Sequence, residues 1–119
     1  LAADGSIITD SSIARSIIGV RSVVEAGSTL DGVVLMGADF YDPEERKRQN
    51  VRAGIPNMGI GPNCQIAGAI IDKNARIGEG CRIGIDSSEY TDGDFPTHYV
   101  RDGVIVIPKG AVVPAGTVI

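Results

Sequence analysis

The chain has 119 residues, enough for one domain with a buried core, and 43% of them are hydrophobic but only 4% aromatic, with no tryptophan and 16 glycines. The formal net charge of −4 excludes a general polyanion binder, because contact with a nucleic-acid backbone needs a concentrated basic surface. No run of about 18 apolar residues and no signal peptide are visible, so neither nucleic acid nor membrane is a predicted partner.

An aliphatic residue recurs about every six positions, which matches neither the two-residue period of a strand nor the 3.6-residue period of a helix. The first run has spacings of 6, 5, 6 and 6, and a second run repeats them 53 residues later, including the irregular step. The runs are Ile7, Ile13, Ile18, Val24 and Leu30, then Ile60, Ile66, Ile71, Ile77 and Ile83, and finally a shorter run of Ile107, Val113 and Ile119.

A six-residue period is typical of the hexapeptide-repeat parallel β-helix, in which each hexad supplies a short strand and a turn. Three hexads form one triangular coil, and the repeated aliphatic residue points inward and stacks on its equivalents in neighbouring coils. Gly27, Gly80 and Gly116 each follow a hexad aliphatic by three residues, where a turn needs a permissive residue. We therefore predict an all-β fold, a parallel β-helix, with residues 1–119 as a single domain.

The first interruption of the repeat covers residues 36–58, and its composition predicts an excursion with a short helix. Asp42 is placed to cap this helix, Pro43 suits its first position and Gly54 can end it. Its acidic and basic residues balance, which favours a solvated surface; they are Asp39, Asp42, Glu44 and Glu45 against Arg46, Lys47, Arg48 and Arg52.

The second interruption covers residues 86–103, which are polar and punctuated by Gly and Pro, and it is predicted to be an inserted loop. It contains the only histidine, His98, for which an exposed loop position is the simpler interpretation. One histidine cannot supply the several protein ligands that a catalytic zinc ion requires. We therefore predict no metal site and no catalytic residue in this chain.

Cys64 and Cys81 each follow a hexad aliphatic by four residues, where the repeat favours a small inward side chain. We expect both to be buried thiols, because the sequence offers no partner set for a disulfide framework or a metal site. The same position is occupied elsewhere by Ser22, Ala75, Ala111 and Thr117.

Two lysines, Lys73 and Lys109, both occupy the third position of a hexad. Equivalent positions of adjacent coils stack about 4.8 Å apart, and two ammonium groups so close repel unless an anion lies between them. They form a candidate clamp for phosphate or carboxylate, although coincidental surface lysines explain the spacing equally well on geometry alone. Val20 holds the equivalent place in the first run, with Arg21 beside it.

Four stretches together resemble the C-terminal domain of the ADP-glucose pyrophosphorylase (glucose-1-phosphate adenylyltransferase) family, and the plant and cyanobacterial type in particular. They are "SIIGVRSVVEAGSTLDGVVLMGADFYD", "GIPNMGIGPNC", "AIIDKNARIGEG" and "VRDGVIVIPKGAVVPAGTVI". The resemblance covers nearly the whole chain in the family's order, and it implies a left-handed coil. It departs from the family between residues 86 and 100, which receive no functional assignment.

The resemblance implies a regulatory and oligomerisation role rather than catalysis by this part. In the family, an N-terminal nucleotidyltransferase domain makes ADP-glucose and pyrophosphate from ATP and glucose 1-phosphate with Mg²⁺, for glycogen or starch synthesis. That domain is not part of these residues, which begin with Leu1 in mid-pattern, so we expect a fragment that needs no cofactor of its own. The expected partners are the catalytic domain, a homo- or hetero-tetramer and anionic metabolites, in the cytoplasm or, for a plant protein, the plastid.

The resemblance also implies roles for three residues. Lys73 and Lys109 match the family's effector-site lysines, and Arg21 matches an arginine linked to the response to inhibiting anions. In the family, activators are phosphorylated glycolytic metabolites and phosphate is a typical inhibitor. Two alternatives stay open at this point: a free-standing hexapeptide acyltransferase or scaffold that depends on His98, and the corresponding domain of another sugar nucleotidyltransferase.

Overall fold

A computed structural model of the chain describes residues 1–86 and 90–119. In chain order its strands are β1 (Ile7–Ile8), β2 (Ser12–Ala14), β3 (Ile17–Ile18), β4 (Val23–Val24), β5 (Thr29–Asp31), β6 (Val34–Leu35), β7 (Gly59–Ile60), β8 (Gln65–Ala67), β9 (Ala69–Ile71), β10 (Arg76–Ile77), β11 (Arg82–Ile83), β12 (Gly93–Asp94), β13 (Tyr99–Arg101), β14 (Val104–Ile107) and β15 (Val112–Val113). A single helix in these ranges, α1 (Glu44–Ala53), separates β6 from β7, and no described helix is long and apolar enough to cross a membrane.

The strands form three sheets, and these are the three faces of a β-helix. The first face has the order β1-β4-β7-β10-β15, the second β11-β8-β5-β2 and the third β12-β13-β14-β9-β6-β3. Every pairing between coils is parallel, and each face receives its strands from successive turns of the chain. The predicted all-β parallel β-helix is therefore confirmed.

The core consists of aliphatic side chains stacked in one column behind each face. On the third face the paired residues are Ile18, Leu35, Ile71 and Ile107, and each is at most 4% exposed. On the second face Ile13, Leu30, Ile66 and Ile83 are in register. Because each column joins residues far apart in sequence, burial of its apolar surface holds the coils together.

The structure corrects the start of the first column by one residue. The sequence count began at Ile7, but Ile7 pairs with Val23, whereas Ile8 pairs with Val24 and so stands in the inward column. Ile7 is 52% exposed and Ile8 38%. The first coil therefore contains a five-residue step from Ile8 to Ile13, which a strict repeat of the second run does not predict.

The small inward positions are confirmed in four of six places, because Ser22, Cys64, Ala75 and Cys81 are buried, whereas Ala111 and Thr117 on the last coil are only partly buried. Both cysteines are free thiols. Each thiol donates to a backbone carbonyl of the next coil, Cys64 to Gly78 at 3.1 Å and Cys81 to Pro114 at 3.2 Å.

The first insertion leaves the coil after β6, forms α1 and returns at β7. Gly54 ends the helix in a left-handed conformation (φ 69°), as predicted. The predicted cap was wrong: Pro43 holds the cap position, and no side chain caps the helix. Asp42 instead accepts two bonds from the guanidinium of Arg76, at 2.7 and 2.9 Å, and one from the Met58 amide at 2.9 Å.

This Arg76–Asp42 pair is buried, with the Arg76 side chain 11% exposed and the Asp42 side chain 3%. Arg76 also donates to the carbonyl of Pro56 at 3.2 Å, so it contacts both ends of the insertion. Hydrogen bonds from Arg76 are the main reason that the pKa of Asp42 lies below its ordinary value of 3.8. One of the balanced charges of the insertion, Asp42, is therefore buried in a pair with an arginine of the coil, and these charges are not all part of a solvated surface.

The second insertion differs from the predicted loop. Residues 87–89 lie outside the described residues, but β12 and β13 form an antiparallel hairpin, and β13 pairs with β14 in the same way. Asp102 and Gly103 make the turn into β14 with φ values of 51° and 76°, which a tight hairpin turn requires. The signal was present in "YVRDGVIVI", where Asp-Gly lies between two strand-like runs.

Candidate anion-binding site

The corner that follows the third face places the two predicted lysines on adjacent coils. Ile71 pairs with Ile107, so Lys73 and Lys109 occupy equivalent positions two residues later. The amide of Gly110 donates to the carbonyl of Lys73 at 2.9 Å, which fixes the register of the two turns. Both side chains remain substantially exposed.

A carboxylate lies between the two ammonium groups. Asp39 Oδ1 is 3.5 Å from Nζ of Lys73, and Asp39 Oδ2 is 4.0 Å from Nζ of Lys109. Asp39 belongs to the first insertion, four residues after the end of β6. The lysine spacing predicted an anion between the two ammonium groups, and the Asp39 carboxylate of the same chain occupies that position.

Asn74 holds Asp39 in this place through two hydrogen bonds. The Asn74 side-chain amide donates to Asp39 Oδ2 at 3.0 Å, and the Asp39 backbone N–H donates to Asn74 Oδ1 at 2.9 Å. The hydrogen bond from Asn74 is the largest cause that lowers the pKa of Asp39 below 3.8, and the charges of Lys73 and Lys109 lower it further. Asp39 is therefore negatively charged at neutral pH.

Arg21 lies at the same corner on the first coil, one position after Val20, which is the residue equivalent to the lysines. It adopts a left-handed conformation with φ 53°. Its Nε donates to the carbonyl of Ala38 at 2.8 Å. The structure therefore brings all three predicted site residues to one segment, Ala38–Asp39, which Arg21 contacts through the backbone and the lysines through the carboxylate.

Arg21 also lines a cavity of about 380 Å³, to which neither Lys73 nor Lys109 contributes. This cavity lies between the first face and the first insertion, and it is lined by apolar groups such as Ile7, Val23 and Phe40 together with charged ones such as Glu25 and Lys47. Arg21 thus lines a cavity apart from the lysine pair, and its bond to Ala38 contacts the residue next to Asp39.

Sequence reasoning missed Asp39 and Asn74 as parts of this site. The sequence pattern places Asp39 among the balanced charges of the insertion and assigns no role to Asn74. One signal was available in the sequence. The segment that carries Asp39 leaves the coil at the corner after β6, and Lys73 occupies the same corner on the next coil.

His98 has no contact with this site in the described residues. Its ring stacks on Phe95 with 4.7 Å between centroids, and its Nδ1 lies 3.1 Å from the Thr97 hydroxyl. It is half-buried rather than exposed as expected, and burial lowers its pKa below 6.5.

The fold and the corner together define a hexapeptide-type β-helix domain that carries two lysines facing one carboxylate. The family model described as the GLGC left-handed parallel beta-helix domain matches residues 1–118. The chain belongs to that family, and the coil is accordingly left-handed. The resemblance to the C-terminal β-helix domain of ADP-glucose pyrophosphorylase is confirmed.

Proposed function

We propose that this β-helix is the regulatory and oligomerisation domain of a glucose-1-phosphate adenylyltransferase. The complete enzyme would make ADP-glucose and pyrophosphate from ATP and glucose 1-phosphate with Mg²⁺, in an N-terminal catalytic domain and as a tetramer. The β-helix would contribute an allosteric site for phosphorylated metabolites and phosphate. The family membership supports the assignment to this enzyme, and the two lysines around Asp39 support the proposed allosteric site.

One observation carries the proposal: two lysines on adjacent coils converge on a single carboxylate. Ammonium groups that accommodate one anion have the charge and spacing to accommodate another of similar size. Lysine binds phosphate as a point charge without strict geometry, which suits effectors of different shapes. The half-exposed position of both side chains leaves the corner open to small anions from solvent.

The mechanism we propose is a coupling between this site and the catalytic domain. An anion that binds more tightly in one arrangement of the two domains shifts the population towards that arrangement. The first insertion is suited to transmit this shift, because Asp39 contacts the lysines while Asp42, three residues later, is fixed to the coil by Arg76.

The test is activator titration of the complete enzyme carrying Lys73→Ala or Lys109→Ala. Since a charge-assisted hydrogen bond contributes roughly 1.5–3 kcal/mol, we expect each change to raise the half-activating concentration about tenfold or more, with little loss of unactivated rate. Lys47→Ala is the matched control, because Lys47 pairs with Glu44 on α1, is similarly exposed and lies outside the corner. Unchanged activator affinity in both corner variants contradicts the site.

No observation favours a free-standing acyltransferase. The family match covers residues 1–118, and it is to the GLGC domain rather than to an acyltransferase or another sugar nucleotidyltransferase. The general base of an acyltransferase must reach its substrate, whereas one face of the His98 ring is covered by Phe95.

A further inference from the structure

A group of the protein itself occupies the position between the two lysines. Asp39 faces both ammonium groups, and the Asn74 amide orients its carboxylate. A free anion that enters the same position meets a negative charge at close range. The binding of any effector anion must therefore include the cost of moving or neutralising Asp39.

We infer that Asp39 is a built-in competitor of the effector, and that an anion binds between Lys73 and Lys109 by displacing its carboxylate. This inference rests on the proposed function, because it concerns the same site. It adds a residue that sets affinity and selectivity, and it specifies the chemical class of ligand that the site accepts.

The contacts of Asp39 suit a group that can be displaced. Its distances to the two lysines, 3.5 and 4.0 Å, are long for ion pairs, and its side chain is 45% exposed. By contrast, Asp42 in the same segment is 3% exposed and makes bonds of 2.7 and 2.9 Å to Arg76. Displacement can therefore be confined to the Asp39 side chain, since residues 36–38 and Asp42 on either side of it stay attached to the coil.

Competition with a carboxylate selects for ligands of higher charge. Asp39 carries one negative charge, whereas a phosphate monoester at neutral pH carries roughly 1.5 to 2. A monoanionic carboxylate gains nothing by replacing Asp39, but a phosphoryl group gains additional attraction to both lysines. The site should thus favour phosphoryl groups over simple carboxylates, and loss of Asp39 should relax that preference.

The test uses the full-length protein with inorganic phosphate and acetate as probes, and follows the rise of the melting temperature with anion concentration. In Asp39→Asn, the amide oxygen can still accept the bond from Asn74 while the charge is lost. We expect the half-saturating phosphate concentration to fall about three- to tenfold, which corresponds to the loss of two exposed charge pairs. Acetate should also begin to stabilise the variant.

Asp31→Asn is the matched control, because Asp31 is a similarly exposed aspartate that pairs with Arg15 at another corner. It removes the same charge from the protein and should leave phosphate binding unchanged. Equal tightening in both variants would overturn the inference, since it would reflect net charge alone.

Lys73→Ala in the same assay separates the inference from the proposed function. If phosphate binding weakens in Lys73→Ala but is unchanged or weaker in Asp39→Asn, the site stands and the competitor role of Asp39 is refuted. If neither substitution changes phosphate binding, the site itself is refuted. Tighter binding in Asp39→Asn that disappears when Lys73→Ala is added supports both.

Discussion

The two insertions of this β-helix are attached to the coil by different kinds of interaction. The first insertion, residues 36–58, bonds to the coil through the backbone at residues 36–38, and beyond them it is held above all by the buried fork between the Arg76 and Asp42 side chains. The second, in its described part, is held by backbone hydrogen bonds, because β13 adds to the third face as an antiparallel strand beside β14. The Val100 side chain of β13 enters the core with 1% exposure.

This difference bears on function. Between the backbone bonds of residues 36–38 and the buried Asp42, the first insertion contacts the lysines only through the exposed carboxylate of Asp39. A segment that extends a sheet moves only when several backbone bonds break together. The first insertion is therefore the better element for a response to an anion, and the second is the better element for a fixed surface.

The strongest way to break the attachment of the first insertion is Arg76→Ala. The change leaves the Asp42 carboxylate buried without its partner, which typically costs about 3–5 kcal/mol of unfolding free energy. Urea denaturation of the purified full-length protein measures this loss. Arg82→Ala is the control, because Arg82 lies on β11, the next strand in the chain, and pairs with Asp86 at the surface, so that its loss should cost at most about 1 kcal/mol. Equal losses would mean that the fork does not anchor the insertion.

The same substitution in each insertion gives a second test of the comparison. Val100→Ala removes two buried methyl groups from the hairpin and should cost about 2 kcal/mol, given roughly 0.8 kcal/mol for each buried carbon plus a cavity contribution. Val51→Ala on α1 removes the same atoms from a side chain that is 79% exposed and should change stability by less than about 0.5 kcal/mol. Thermal unfolding of the two variants checks the prediction, and a reversed order would contradict the packing described above.

Acid should weaken the first insertion selectively, by roughly 1–2 kcal/mol, since bonds to a charged group are stronger than bonds to a neutral one. The folded-state pKa of Asp42 is lowered, so its contribution to stability is complete above the ordinary value of 3.8 and is lost as the pH falls below it through the lowered pKa. Urea unfolding at a series of pH values from neutral to about 3 measures how steeply the free energy of unfolding falls as the pH is lowered. Asp42→Asn should flatten this dependence, whereas Asp86→Asn, at an exposed pair, should flatten it much less; equal slopes in all three proteins would contradict the assignment.

The sequence was sufficient to predict the coil, because the fold repeats one physical requirement many times. An inward aliphatic such as Ile66 or Ile71 must recur at each coil, and this leaves a six-residue period that one chain displays by itself. The lysine pair was predictable for the same reason, since equivalent positions of a solenoid stack. The first coil departs from the predicted register, because Ile7 and Ile8 both satisfy the six-residue pattern and the spacing does not distinguish them.

What the sequence did not reveal is contact between segments outside the period. Asp42 follows the signature of a helix cap, and no local feature shows that Arg76, 34 residues later, takes its carboxylate. Asp39 reaches Lys73 in the same way, through the path of an insertion that obeys no repeat. The hairpin was missed for a different reason. Its Asp-Gly turn is a local signal, but the polar composition of the insertion favoured a loop.

The turn of that hairpin gives the prediction with the smallest expected change in stability. Gly103 has φ 76°, and a β-carbon added there would meet no atom within 4 Å, so only the backbone conformation opposes a side chain. The left-handed region costs an ordinary residue roughly 1–2 kcal/mol, partly offset by the reduced entropy of the unfolded chain, so Gly103→Ala should lose about 1 kcal/mol or less. Gly103→Asn should lose less than Gly103→Ala, because asparagine tolerates this conformation. If thermal unfolding shows the two variants to be equally stable, the left-handed conformation at Gly103 does not limit the stability of the hairpin.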